Sequence, residues 1–183
     1  MLYLVGGVSR SGKSSLATMI NQRQGTPWLS IDAMRWGLTK GAPELGINSD
    51  NDDLEDALRL WPIIQGFVEN VEFDGRDYLI EGVCLLPNQI VELVNKYLPN
   101  ARACYLGYPE IDPETKFAEV MAHGGPNDWL RKEPEAKIRA FISSRISQSR
   151  KDRETCSAIG LQFFDTGQNR AKVLSNASRY LLA

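Results

Sequence analysis

The segment at residues 7–14 constrains the chain more than any other, because it reads Gly-Val-Ser-Arg-Ser-Gly-Lys-Ser. This is a complete G-x-x-x-x-G-K-[ST] pattern, and it follows a short apolar run typical of a strand. Gly7 and Gly12 allow a tight turn whose backbone N–H groups approach a phosphate chain, while Lys13 adds positive charge. The Ser14 hydroxyl can bind Mg²⁺. A glycine-rich turn with a stray lysine is the competing interpretation, but the position between a strand and a helix favours a phosphate site.

Length, charge and cysteine spacing exclude several classes of protein. The chain has 183 residues, 43% of them hydrophobic, and its 21 Lys and Arg against 23 Asp and Glu give a formal net charge of -2. This composition indicates a globular domain and does not favour a nucleic acid partner. Cys84, Cys104 and Cys156 are spaced too widely for a zinc site or a disulfide framework, and the apolar start is too short for a membrane span. We expect a single domain over residues 1–183, located in the cytoplasm.

Strand-like and helical patterns alternate along the chain, which indicates an α/β fold with a mainly parallel sheet. The predicted strands are Leu2–Gly6, Trp28–Ile31, Tyr78–Leu86, Ala103–Leu106 and Leu161–Phe164. The predicted helices are Lys13–Gln24, Asp53–Val71, Pro87–Tyr97, Pro134–Cys156 and Arg170–Leu182. Pro62 is expected to kink or divide the second of these helices.

Two charged side chains follow the second predicted strand. Asp32 comes at its end, and Arg35 about one helical turn later. The carboxyl ends of parallel strands face the ligand crevice, so Asp32 would orient or deprotonate an acceptor hydroxyl. Arg35 would hold an anionic acceptor or stabilise charge on a phosphoryl group. The structural alternative makes Asp32 a helix N-cap and Arg35 a solvated helix residue.

Glu81 interrupts the third apolar run. A carboxylate buried there without a partner would be costly, so we expect Glu81 to emerge at the site. It would contact Mg²⁺ or the acceptor; the alternative is an edge-strand glutamate that points into water.

Residues 123–133 are rich in turn formers and lead into a predicted helix, which suits a short lid. Arg131 and Lys132 could neutralise transferred charge there, and Arg131 is the better catalytic candidate. His123 is expected to be a loop residue and not a catalyst. Three arginines of the next predicted helix share one face, which is more often solvated than functional: Arg139, Arg150 and Arg153.

Residues 6–17, the Asp32 and Arg35 pair, and Ile80–Val83 with Pro87 together resemble P-loop small-molecule kinases of the nucleoside-monophosphate-kinase type. The Ile-Glu-Gly-Val stretch is most similar to 2-phosphoglycerate-kinase-like proteins. The Asp-x-x-Arg pair is also similar to that of chloramphenicol phosphotransferases, zeta-type toxins and polynucleotide 5′-kinases. The resemblance implies a three-layer P-loop kinase fold, with a five-stranded parallel sheet in the order 2-3-1-4-5 and helices on both faces.

The resemblance also implies ATP and Mg²⁺ as cofactors and transfer of the γ-phosphoryl group to a small-molecule acceptor. The nucleotide would be bound by Gly7, Ser9, Arg10, Ser11, Gly12, Lys13, Ser14 and Ser15. The catalytic candidates are Lys13, Asp32, Arg35 and Arg131. The metal candidates are Ser14 and Glu81, and residues 165–168 would border the adenine.

Rival functions predict different residues. A GTPase needs Asn-Lys-x-Asp, whereas the Asn-Lys at residues 95–96 is followed by Tyr-Leu. A nucleic-acid 5′-kinase needs a basic and aromatic channel, which the net charge does not promise. A non-catalytic nucleotide-binding regulatory protein would lack the acceptor carboxylate that Asp32 supplies. Phosphoglycerate, a sugar, a nucleoside monophosphate and an antibiotic all stay open as acceptors, and a homodimer can form through any apolar helix face.

Overall fold

The structure is a computed structural model that describes residues 1–48, 50–123 and 128–183. Its elements are β1 (Leu2–Gly7), α1 (Lys13–Gln24), β2 (Trp28–Ser30), α2 (Ile31–Gly41), α3 (Asp53–Phe73), β3 (Tyr78–Gly82), α4 (Pro87–Lys96), β4 (Ala101–Gly107), α5 (Pro113–His123), α6 (Glu135–Ile159), β5 (Phe163–Asp165) and α7 (Arg170–Leu182). Short 3-10 turns occur at Pro43–Leu45 and Leu130–Lys132.

The five strands form one parallel sheet in the order β2-β3-β1-β4-β5, which confirms the expected α/β architecture. β1 is the central strand and every residue of it is buried. Its side chains alternate between the two faces, as the period of a strand requires. Leu2 and Leu4 pack on the face covered by α3, α4 and α6, while Tyr3 and Val5 pack on the face covered by α1 and α7.

A third apolar cluster lies beyond the carboxyl end of the sheet. It joins α5, α6 and the turn at Leu130–Lys132, and its buried members include Tyr108, Leu130 and Ile142. Burial of Leu130 anchors the segment that follows residue 127 against the body of the protein. In the described parts of the chain, no helix combines the length and apolar character needed to cross a membrane.

Two helices were not expected from the sequence, and β3 is four residues shorter than predicted. α2 and α5 occupy stretches for which we predicted no helix. β3 ends at Gly82 and not at Leu86, because Leu86 is the N-cap of α4 and Pro87 takes the first helical position.

The predicted division of the helix at Pro62 is wrong, since α3 runs as one helix through it, while a kink there stays a prediction. Proline removes one backbone donor, and the carbonyl four residues earlier belongs to Leu58, whose side chain is exposed. Water can satisfy an exposed carbonyl, so the helix continues past the proline.

Candidate active site

The loop at residues 7–14 has the backbone shape that its glycines predict. Gly7 has a φ of +148°, and a Cβ there would lie 2.3 Å from the carbonyl oxygen of Leu106. Gly12 has a φ of +104° and is the N-cap of α1. The first N–H groups of a helix have no intrahelical acceptor, so those of α1 point towards the loop and can bind an anion.

Lys13 and Ser14 lie at the start of α1, next to the central strands. The Lys13 ammonium is nearly buried and donates to the carbonyl of Val8 at 3.0 Å. The Ser14 hydroxyl donates to Glu81 Oε1 at 3.0 Å. The sequence therefore placed Glu81 correctly beside the phosphate loop, and the edge-strand alternative is wrong because Glu81 is only 1% exposed.

Glu81 is held in an unfavourable environment for a carboxylate. Burial raises the pKa of Glu81 above its ordinary value, and the nearby charge of Lys13 opposes that rise. Its second oxygen, Oε2, is buried and has no hydrogen-bond partner among the described residues. Such an unsatisfied atom is costly unless a ligand, a metal-bound water or a proton reaches it.

Ser14 and Glu81 form a donor set that suits a hard cation. Mg²⁺ takes oxygen ligands and is commonly held by one or two protein groups together with phosphate oxygens. Among the residues that the structure describes, no group of three His, Cys, Asp or Glu side chains could hold a metal by itself. The hydroxyl and the unsatisfied carboxylate oxygen are therefore the fitting pair for a cation that arrives with a nucleotide.

Asp32 faces the phosphate loop. It is the second residue of α2, it is exposed, and its Oδ1 accepts a hydrogen bond from the backbone N–H of Val83 at 3.2 Å. The N-cap position of α2 belongs to Ser30, so the N-cap alternative for Asp32 is wrong. A cleft of about 200 Å³ brings Asp32 together with Ser9, Arg10, Gly12, Lys13, Ser14, Ser15 and Arg170.

Arg35 does not face this cleft as a free cation. It is only 7% exposed, and its Nε donates to Asp56 at 2.5 Å while Nη1 donates to Asp53 at 3.0 Å. Its Nη2 donates to the carbonyls of Asn48 and Asn51. The solvated alternative is therefore wrong, and these contacts join α2 to the start of α3; the role of Arg35 towards an acceptor stays a prediction.

An arginine of the phosphate loop is tied to the segment after residue 127. Both Nη atoms of Arg10 donate to the carboxylate of Asp128, and Nη1 lies 2.7 Å from Oδ2. Asp128 also accepts from the backbone N–H of Leu130 at 3.0 Å. The pair fixes Arg10 in a left-handed backbone conformation with a φ of 65°, which a side chain other than glycine rarely adopts.

We expect Asp128→Asn to lower the melting temperature by roughly 2–4 °C, which corresponds to about 1 kcal/mol in a domain of this size. The amide keeps the bond to Leu130 but leaves the half-buried guanidinium of Arg10 without its charged partner. Asp112→Asn is a matched control, because Asp112 bonds the backbone N–H of Thr115 and pairs with no cation in the described residues. Equal melting temperatures for the two variants would contradict this role of Asp128.

The remaining lid candidates lie partly outside the described residues, since residues 124–127 are not among them. Arg131 is exposed in the turn Leu130–Lys132, three residues after Asp128, and its catalytic role stays a prediction. His123 is the last residue of α5 and not a loop residue. The three arginines on one face of α6 make contacts within the protein, to Glu114 and Glu135, to the carbonyl of Pro109, and to Glu110.

Arg145 was not singled out from the sequence, yet it bonds the start of α3, where Arg35 also has a partner. Its Nη1 donates to Asp53 Oδ2 at 2.7 Å, across 92 residues of sequence. No local pattern distinguishes Arg145 from the other arginines of α6. Only the fold brings it to the first residue of α3.

Comparison with known proteins gives matches in structure only. No family model matches the chain, and no curated protein matches it. A gluconokinase from Sinorhizobium meliloti 1021 is similar with a TM-score of 0.58 at 20% identity, covering 98% of this chain and 90% of that one. A sugar kinase from Janibacter sp. HTCC2649 has a TM-score of 0.60 at 16% identity, with 98% and 93% coverage. A shikimate kinase from Bacteroides thetaiotaomicron has a TM-score of 0.57 at 12% identity, with 98% and 94% coverage.

The chain has the P-loop kinase fold. The phosphate loop follows β1, which has β3 and β2 on one side and β4 and β5 on the other. Asp32 and Glu81 lie on the side of β2 and β3. A second cleft, of about 530 Å³, lies on the side of α5 and α7 and is lined by Arg10, Lys116, Glu119, Val120, His123 and Arg170.

Proposed function

We propose that this protein is an ATP-dependent phosphotransferase that moves the γ-phosphoryl group onto a hydroxyl of a small-molecule acceptor. The observation that carries the proposal is the cleft in which Asp32 meets the phosphate loop. A phosphate loop alone is shared by sensors, motor ATPases and kinases. A carboxylate that faces the loop supplies the group that phosphoryl transfer to a hydroxyl requires.

The nucleotide would bind through the backbone N–H groups of residues 9–15 and the cations around them. Lys13 would turn from the Val8 carbonyl to the β- and γ-phosphates, exchanging one hydrogen bond for a charge-assisted one. Arg170 donates to the hydroxyl of Ser15 at 3.2 Å and lines the same cleft. We propose that residues 165–168, which immediately precede α7, border the adenine next to the larger cleft.

In the transfer step, the hydroxyl oxygen of the acceptor forms a bond to the γ-phosphorus. The bond between that phosphorus and the oxygen bridging to the β-phosphate breaks, and ADP leaves with the electron pair. Asp32 holds the hydroxyl in line and takes its proton, which then passes to water. Lys13 stabilises the charge on the phosphoryl oxygens, and Arg131 is proposed to assist it from the turn at Leu130–Lys132.

Mg²⁺ bound with the nucleotide would neutralise part of the phosphate charge. Ser14 and Glu81 are the residues proposed to hold it, directly or through water. The 3.0 Å bond between their oxygens keeps both groups oriented in the free protein.

Finer assignments also stay proposals. These are the nucleoside-monophosphate-kinase type with its 2-phosphoglycerate-kinase-like relatives, transfer to a phosphate group, a single domain with a lid at residues 123–133, a homodimer and a cytoplasmic location. A nucleic-acid 5′-kinase and a non-catalytic regulatory protein are the competing functions. Arg35 bears on the nucleic-acid 5′-kinase, because a nucleic acid is an anionic acceptor and would need a cation with free donors.

The decisive experiment is a screen for phosphate transfer from ATP to sugars, polyols, phosphoglycerates, nucleoside monophosphates and aminoglycosides. Transfer is read as ADP release above the hydrolysis background. ATP with Mg²⁺ should also raise the melting temperature with a concentration dependence that follows its Kd. Stabilisation by ATP without transfer to any class would favour the regulatory protein, whereas absence of stabilisation at saturating ATP would refute nucleotide binding itself.

We expect Glu81→Gln to separate stability from activity. The amide keeps the shape and the bond to Ser14 but removes a carboxylate whose pKa burial has raised, so the unliganded protein should gain roughly 2–4 °C in melting temperature. Turnover should fall, because a neutral amide is a weaker ligand for Mg²⁺ or its water. Glu92→Gln, on the surface of α4, is the control and should change neither quantity.

The raised pKa of Glu81 also makes the stability of the folded protein depend on pH. A carboxyl whose folded pKa is raised binds its proton more tightly when folded, so its contribution favours the folded state at low pH. That contribution is lost as pH rises from the unfolded pKa through the folded one. The difference in melting temperature between Glu81→Gln and the wild type should therefore grow with pH across that interval and then level off.

A further inference from the structure

The ion pairs that join α2, α3 and α6, one helical turn beyond Asp32, indicate which charge an acceptor can carry. Resting on the proposed function, we propose that the acceptor is a hydroxyl compound without an anionic group, such as a polyol or its amine-bearing analogue. Gluconate and shikimate, the acceptors named by two structurally similar kinases, are both carboxylates. The proposal therefore separates this protein from those two in substrate chemistry.

Arg35, one helical turn after Asp32 on α2, and Arg145 of α6 both bond the start of α3, whereas Arg10, Lys13 and Arg170 lie along the phosphate loop in the cleft that holds Asp32. Arg35 already bonds Asp56, which is fully buried, and Asp53. Arg145 bonds the other oxygen of Asp53 at 2.7 Å. Both guanidinium groups are thus neutralised by carboxylates of α3, and one carboxylate serves them both.

Asp32 lies one helical turn before Arg35 on α2 and adds a further negative charge. Within residues 1–48, 50–123 and 128–183, the structure shows no ion pair for Asp32. An incoming carboxylate or phosphate would approach Asp32 and Asp53 here, whereas the two guanidinium groups are already paired.

The Asp32 carboxylate is the hydrogen-bond acceptor that this side of the cleft offers to a ligand, since Glu81 is proposed to hold the cation. Asp32 uses Oδ1 for the backbone N–H of Val83 and is otherwise exposed. Hydroxyl and ammonium groups donate to such oxygens, whereas a carboxylate or phosphate dianion has no proton to offer.

The test uses two series of acceptors that differ only in charge. One series is glucitol, glucamine and gluconate; the other is glycerol, 2-amino-1,3-propanediol and glycerate. We measure kcat/KM for ATP-dependent transfer to each compound in the wild type, in Asp53→Asn and in Asp74→Asn. Asp74→Asn is the matched control, because it removes the same charge at the far end of α3.

In the wild type we expect at least a roughly tenfold preference for the neutral or amine-bearing member over the carboxylate of its series. Asp53→Asn should narrow that preference about tenfold, because Arg35 and Arg145 lose their shared partner. Asp74→Asn should leave the ratio unchanged. A wild type that prefers gluconate or glycerate would overturn the proposal, and so would a preference that Asp53→Asn and Asp74→Asn shift equally.

A binding measurement decides the proposal even without turnover. With the phosphate loop filled by ADP, the dissociation constant of sulfate is measured by titration calorimetry for the wild type and for Asp53→Asn. We expect Asp53→Asn to bind sulfate roughly tenfold more tightly. Equal or tighter binding by the wild type would overturn the inference about charge, whereas absence of transfer to any acceptor would count against the proposed function alone.

Discussion

Lys13→Ala should remove measurable phosphate transfer, a loss of at least roughly 10²- to 10³-fold in kcat. Lys13 is 5% exposed, and its ammonium lies 3.0 Å from the Val8 carbonyl oxygen, close to where the γ-phosphate would bind. Alanine takes away the cation that opposes charge on the phosphoryl oxygens. It leaves the turn at Gly7 and Gly12 and the start of α1 in place.

The fold should tolerate this change, because Lys13 fills no apolar core. We therefore expect a change in the melting temperature of the unliganded protein that is small beside that of a core truncation, together with a much smaller ATP-induced shift. Lys151→Ala is the control, since Lys151 is exposed on α6 away from the cleft. A loss of stability in Lys13→Ala as large as that of Leu4→Ala, without loss of transfer, would make Lys13 a structural residue.

The central part of the fold could be predicted because its local signals agree with one another. α1 and α7 begin and end where the sequence predicts them. For α1, the glycine at position 12 and the glycine at position 25 both adopt left-handed conformations that mark the ends of the helix. β1, which leads into the phosphate loop, has no charged residue and is buried throughout, as expected for a central strand of a parallel sheet covered on both faces.

α2 and α5 escaped prediction because charged residues occupy their inward positions. Arg35 is one of two buried residues in α2, and Lys116 is one of two in α5. Lys116 is 3% exposed and lies against the ring of Tyr108, with its ammonium 4.2 Å from the ring centre. An apolar periodicity cannot reveal a helix whose buried face is partly cationic.

Site residues that follow directly from a local sequence pattern could be predicted. Contacts between segments that are distant in the sequence could not. The phosphate loop, Asp32 and Glu81 could be placed because each lies at the carboxyl end of a parallel strand. The engagement of Arg35 with Asp56 and of Arg145 with Asp53 depends on how α2, α3 and α6 pack. Such partners are set by tertiary structure, so the sequence could not show that Arg35 is already paired with carboxylates.

Asp32→Asn should lower kcat by roughly 10²-fold or more while ATP affinity barely changes, the usual scale of help from a general base. The amide oxygen can still accept the 3.2 Å bond from Val83, and the N-cap of α2 is Ser30, so the local structure should persist. What is lost is the negative charge that holds the acceptor hydroxyl and takes its proton.

Asp52→Asn is the matched control for this prediction, because Asp52 is a true N-cap that accepts from the backbone N–H of Leu54 at 2.8 Å. Asparagine caps a helix about as well as aspartate, so that variant should keep both its activity and its melting temperature. The measurements are kcat, acceptor KM, ATP Kd and melting temperature for both variants. If Asp32→Asn kept the kcat of the wild type with a demonstrated acceptor, Asp32 would only hold the backbone at Val83, and the proton would have to leave through another group.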